Sequence, residues 1–125
     1  MKKRRVAIHP FVAAFSGIAR AVRTEPHMPI HLMASLLVTA AGFFFSISKM
    51  EWLVLLITMA LVIGAELMNT AIEYAVDLAT EEIHPLAKAA KDIAAGAVLV
   101  TAVFAVIIGV IIFYSPVLKW METLF

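Results

Sequence analysis

Charged and apolar positions separate into blocks along this chain. Residues 26–48 carry no Asp, Glu, Lys or Arg, and 30–48 are nearly all apolar. Residues 52–65 are again free of charge, and the apolar character continues through 72 apart from Glu66 and Asn69. Residues 93–118 form the longest uncharged run, ending near Ser115-Pro116. A helix needs about 20 mainly apolar residues to span a bilayer. The pattern therefore predicts three transmembrane helices, at about 30–48, 52–75 and 87–114.

The segment before them has a different period. Phe11, Ala14, Phe15, Ile18 and Val22 recur at the i, i+3, i+4, i+7, i+11 spacing of an amphipathic helix, with Ser16, Arg20 and Arg23 on the other side. Pro10 suits a first turn, and Pro26 disfavours helical geometry at Glu25, so the helix is expected over 10–25, lying on the membrane surface. Glu25 breaks the pattern. At ~100° per residue it falls within about 40° of Phe11, on the apolar side, so its carboxylate is expected to aim into the bundle rather than fray into water.

Composition agrees with a membrane protein. The 125 residues are 63% hydrophobic, and mean hydropathy is +0.99. A chain this short cannot hide that much apolar surface inside itself. With no cysteine, thiolate metal sites, disulfides and Cys nucleophiles are excluded. The five glycines are too scattered for a G-x-G-x-x-G or Walker-type loop. Nucleic acid is not an expected partner. The basic residues divide eight against two: Lys2, Lys3, Arg4, Arg5, Arg20, Arg23, Lys88 and Lys91 on one side, Lys49 and Lys119 on the other. The positive-inside rule then puts the N-terminus and the 76–92 connection in the cytoplasm and the C-terminus outside. No cleavable signal follows Lys2–Arg5, so the N-terminus is expected to be retained.

The second crossing carries the candidate chemistry. Glu66, Asn69, Glu73 and Asp77 fall at i, i+3, i+7 and i+11 on one helix face, with Thr70 beside them. The stripe runs roughly 16 Å along the axis. A charge at mid-membrane costs at least ~2.5–3.5 kcal/mol, so intramembrane acids mark a functional site. Paired carboxylates near a membrane surface suit Mg²⁺, which takes one or two carboxylates together with phosphate oxygens. A deeper carboxylate suits a general base. Metal-assisted phosphoryl transfer and a proton or cation pathway both fit at this point.

Thr80–Pro85 reads as a loop leading into a helix with Pro85 in its first turn. Lys88, Lys91 and Asp92 precede the third apolar run. A cation at Lys91 would be well placed for phosphate, whereas Lys88 reads as a snorkelling anchor. Ala95, Ala102, Ala105 and Gly109 form a small-residue strip suited to close helix packing, within the chain or between copies. Three helices enclose little volume, so oligomerisation is expected. His27 and His31 have the i, i+4 spacing of a metal pair, but Pro29 between them is expected to spoil a regular helix, and no metal site is assigned to them.

The string Glu66-Leu67-Met68-Asn69-Thr70-Ala71-Ile72-Glu73-Tyr74-Ala75-Val76-Asp77, followed by His84-Pro85 and Lys88-Ala89-Ala90-Lys91-Asp92, resembles the prokaryotic diacylglycerol kinase family, and within it the undecaprenol kinase branch of Gram-positive bacteria. The resemblance covers nearly the whole chain. It implies an all-α integral membrane protein, with a surface helix and three transmembrane helices in a homotrimeric bundle whose active sites are shared between subunits. It implies transfer of the γ-phosphate of Mg-ATP to the primary hydroxyl of a membrane lipid. Carried over by position, Glu66 is the catalytic base and meets the lipid. Glu25 and Glu73 hold Mg²⁺ on the ATP phosphates. Asn69 orders the catalytic and phosphate groups, Lys91 contacts phosphate, Asp92, Glu82 and His84 line the nucleotide pocket, and Asp77 supports it.

Two positions depart from the family pattern. Pro29 stands where relatives carry a basic residue, and Ile83 stands where they often carry an aromatic before His-Pro. Undecaprenol is the expected acceptor and diacylglycerol the alternative. A channel lined by Glu66 and Glu73 would need acids through the full membrane depth, and the first crossing contains none and the third none beyond Asp92 at its start. A purely structural subunit would leave the acids clustered with Lys91 and Asp92 unexplained.

Overall fold

The computed structural model describes residues 9–125, so the basic run Lys2–Arg5 lies outside the described residues. Four helices follow in order: α1 (Pro10–Thr24), α2 (Met28–Phe44), α3 (Lys49–Ala79) and α4 (Pro85–Glu122). No strand occurs among the described residues. Two helices, α3 and α4, are long and apolar enough to cross a membrane, and a third span is present if the bent pair α1–α2 counts as one. Alone, α2 has 17 residues, about 26 Å, close to the ~30 Å hydrocarbon thickness. The protein is a multi-pass membrane protein.

The ends of the helices differ from the sequence expectation for local reasons. α2 stops at Phe44 rather than 48. Ile47 N–H donates to Gly42 C=O (3.1 Å) and Ser46 N–H to Phe43 C=O (3.2 Å), the paired bonds of a Schellman cap. Ser46, at φ 51°, occupies the left-handed position where glycine is usual. α3 begins at Lys49 because Ser48 and Glu51 form a reciprocal capping box. α4 runs past Pro116 to Glu122. The proline removes one backbone bond, but Trp120 packs edge-on against Phe44 and Phe45 at ring separations of 5.9 and 6.4 Å, which holds the extra turns in place.

α3 and α4 pack along much of their length, and α2 touches α3 more sparingly. Only seven hydrophobic residues among those described are buried, so most apolar side chains face outward, as in lipid. The one clustered core, Ile47, Leu55 and Ile112 with Trp52, Phe45 and Phe113 around them, lies at the α2–α3 turn. Gly42 is required there: a Cβ on it would stand 2.7 Å from Trp52 Cη2. The aromatic and aliphatic ties of the bundle are thus at the end away from the Glu66–Asp77 stripe, while polar contacts join the helices at the other end.

Candidate functional site

Three local features bring Glu25 to the site. Pro26 forces Glu25 out of the helix into extended backbone (φ −88°, ψ 116°). The chain then turns by 103° into α2, with Met28, 1% exposed, plugging the corner. Thr24 Oγ1 and Tyr74 Oη lie 3.1 Å apart and tie the end of α1 to α3. The Glu25 side chain is consequently buried, with Oε2 accepting a long 3.4 Å hydrogen bond from Thr70 Oγ1.

Glu66 is 1% exposed, the most buried acid in the described chain. Its Oε1 has no hydrogen-bond partner, nor has Oδ1 of Asn69 one turn along. Its Oε2 lies 3.3 Å from His31 Nε2 on α2. His27 Nδ1 lies 3.3 Å from Glu25 Oε1. Glu25, His27 and Glu66 each offer a ligand atom within 4.8 Å of the others. Two carboxylates this close call for positive charge between them. A buried carboxylate oxygen short of a partner, beside a second carboxylate, has the hard-donor chemistry that a divalent cation takes. Glu73 does not belong to this group of three; it stands half-buried, two turns beyond Glu66 on the same face, and no ion pair engages it among the described residues.

His27, His31, Glu66 and Asn69 open on a chamber of about 300 Å³, whose opposite wall is Ile30, Ala95, Val98, Leu99 and Ala102. A second, almost wholly apolar cavity of about 350 Å³ adjoins it, sharing Ile30, His31 and Ala102. It runs between α2 and α4 over α3, floored by the small residues Ala105 and Gly109. Within this chain, the small-residue strip of α4 therefore faces open space rather than a packed helix; a Cβ on Gly109 would meet nothing within 4 Å.

The other end of the acidic stripe faces a cavity of about 490 Å³ that brings together Asp77, Glu82, His84 and Lys91 with Lys88. Lys91 Nζ donates to Asp77 Oδ1 at 2.6 Å, and Lys88 pairs with Asp92 one turn along the same helix. His84 caps α4: its Nδ1 accepts from Leu86 N–H at 3.1 Å, which leaves Nε2 as the atom able to meet a ligand. Ile83 is fully exposed beside it.

The sequence-predicted residues thus fall into two groups. Glu66 and Asn69 line the chamber with Glu25 close to Glu66, Asp77, Glu82, His84 and Lys91 gather at the α3–α4 loop with Asp92 paired to Lys88 nearby, and Glu73 stands between them on α3. His31 was not among the expected residues. Pro29 does not spoil the helix there, because it occupies the first turn of α2, where its missing N–H is not needed. The i, i+4 spacing of His27 and His31 was the signal, and each imidazole meets a different carboxylate.

The comparisons point the same way. The chain is 48% identical to undecaprenol kinase of Bacillus subtilis over 103 residues, 82% of this chain and 84% of that protein. It is 39% identical to a diacylglycerol kinase of Synechocystis over 112 residues, covering 89% of this chain and 64% of that protein. A diacylglycerol kinase of Helicobacter pylori matches at 46% over 55 residues, 44% of this chain and 43% of that protein. The family model for prokaryotic diacylglycerol kinase matches residues 12–113, a span that takes in both groups of polar residues, and the chain belongs to that family.

Proposed function

We propose that this protein is an ATP-dependent membrane lipid kinase that phosphorylates the primary hydroxyl of undecaprenol. One observation carries the reading: a buried carboxylate with an unpartnered oxygen, Glu66 Oε1, stands at the polar end of an apolar cavity. A long-chain alcohol suits that combination. Its hydrocarbon fits the wall of Ile30, Val98 and Leu99, and its hydroxyl reaches the carboxylate. The high identity to a named undecaprenol kinase favours that alcohol over diacylglycerol.

In this mechanism Glu66 Oε1 accepts the proton of the lipid hydroxyl as its oxygen attacks the γ-phosphorus, and ADP leaves. Asn69 orders the carboxylate and the phosphate. Glu25 and Glu73 would hold Mg²⁺, which would neutralise phosphate charge when bound with ATP. Lys91 meets phosphate, Glu82, His84 and Asp92 line the nucleotide pocket, and Asp77 holds Lys91 in place. No glycine-rich loop is needed, because phosphoryl transfer rests mainly on positioning and charge. The surrounding lipid limits access of water as a competing acceptor.

The whole chain forms one kinase domain in the bacterial plasma membrane, with the N-terminus and the α3–α4 loop cytoplasmic and the C-terminus outside. The apolar stripe of α1 supports its place on the membrane surface, since Phe11 and Phe15 are exposed rather than packed on the protein. A homotrimer with shared sites is the assembly proposed, since α3 to α4 alone leave most apolar surface uncovered.

The test is phosphate transfer by purified protein in mixed micelles with Mg-ATP, offering undecaprenol or diacylglycerol at equal surface concentration. Preference for undecaprenol is expected. Preference for diacylglycerol would keep the mechanism and overturn the acceptor, and no transfer to either by folded protein would overturn the kinase reading.

A further inference from the structure

We infer that His31 is a positioning residue for the general base: its Nε2 pairs with Glu66 Oε2 and thereby turns Oε1 toward the incoming lipid hydroxyl. The inference rests on the kinase reading of Glu66 and adds a residue to it. The two atoms are 3.3 Å apart, and the side chains are 16% and 1% exposed, so water does not compete for the contact. A carboxylate torsion is broad and nearly two-fold, so the group has no intrinsic choice between its oxygens. A donor on one side makes that choice. The other oxygen is the one without any partner, and it belongs to the residue that lines the chamber.

The placement of the imidazole follows from the chain. Pro29 sets the start of α2, and His31 falls in its first turn, on the side that meets α3. His31 also lines both the polar chamber and the apolar cavity, at the threshold between them. A hydroxyl carried in on a hydrocarbon chain passes this threshold before it meets Oε1. His27 has a different task, since its Nδ1 engages Glu25 and its side chain is 68% exposed.

The experiment measures kcat and KM in mixed micelles for the wild type and for His31→Leu, His31→Gln and His31→Asn, with folding checked by helical content and elution volume. Gln carries an amide N–H near the position of Nε2, whereas the Asn amide is too short to reach it. His31→Leu and His31→Asn are expected to lower kcat about 10–100-fold, with the KM for Mg-ATP changed less than about twofold. His31→Gln is expected to recover to within about fivefold of the wild type. In a Glu66→Asp background, adding His31→Leu is expected to cost far less than it does alone, because the two residues act as a unit. A packing role alone predicts that Leu, an apolar side chain facing an apolar cavity, is tolerated. Wild-type kcat in His31→Leu overturns the inference and leaves the kinase standing, as does equal impairment of the Leu and Gln variants. A wild type without lipid phosphorylation overturns the kinase reading, and this inference with it.

Discussion

Glu66→Gln separates chemistry from binding more cleanly than any other change in this protein. The substitution is close to isosteric, so the chamber of about 300 Å³ and the packing around a 1%-exposed side chain are preserved. Gln still offers a carbonyl oxygen to His31, but it cannot take a proton at the position of Oε1. General base catalysis contributes about 10²–10⁴-fold, so turnover is expected to fall by that factor, or roughly 3–5 kcal/mol on the barrier. The residues assigned to the nucleotide pocket proper, Asp77, Glu82, His84, Lys91 and Asp92, lie at or beyond the far end of the stripe, and Glu66 itself is not assigned to ATP, so ATP affinity is expected to stay within about twofold. Stability is expected to hold or rise. Glu25 and Glu66 offer ligand atoms within 4.8 Å, and two unit charges at that separation repel by about 3 kcal/mol at an effective dielectric of about 20. Removing one of them relieves that repulsion. Transfer of labelled phosphate to undecaprenol in micelles, calorimetric titration of ATP, and a thermal melt in detergent make the three measurements. A variant that keeps more than half of wild-type turnover removes Glu66 as the base. Loss of ATP binding together with turnover would mean that the residue belongs to the nucleotide site instead.

Three further changes test the rest of the reading. Glu73→Gln is expected to raise the Mg²⁺ concentration for half-maximal activity about tenfold, and an unchanged Mg²⁺ titration would remove Glu73 from the metal site. Gly42→Val places a Cβ 2.7 Å from the Trp52 ring and is expected to cost about 1–3 kcal/mol of stability in a detergent unfolding titration; no change would mean that the α2–α3 corner is looser than described. Ser46→Gly relieves a left-handed backbone at φ 51° and is expected to stabilise by about 1 kcal/mol, seen as a higher melting temperature with unaltered kinetics, and a lower melting temperature would count against that turn.

The helices were readable where a property repeats along one element. Blocks without charge marked α2, α3 and α4, because lipid imposes the same demand on every turn. Their ends were not, because caps are single-residue events. Ser48 and Glu51 carry a capping-box spacing, yet the charge pattern leaves them at the gap between the 30–48 and 52–75 runs. The end of α2 depends on Ser46 taking a backbone conformation that serine rarely adopts. Pro116 looked like a stop, and only aromatic packing from the α2–α3 turn keeps the helix going.

The site divides along the same line. The Glu66–Asp77 stripe could be drawn from periodicity alone, since residues three, four and seven apart on a helix share a face whatever surrounds it. Glu25 could be placed on the apolar side for the same reason, and Pro26 then holds it there by local sterics. His31 could not be assigned to Glu66 in this way. Its position depends on a 103° bend between two helices and on the seating of α2 against α3, and neither is written in any one window of residues. A polar site in a membrane nevertheless constrains the search. Water is scarce there, so each buried acid must find its donor within the protein. The described crossings supply few side-chain donors at that depth. An acid on α3 level with the start of α2 leaves the histidines there among the few groups able to answer it, and a histidine in an otherwise apolar first turn is worth pairing with such an acid before it is set aside.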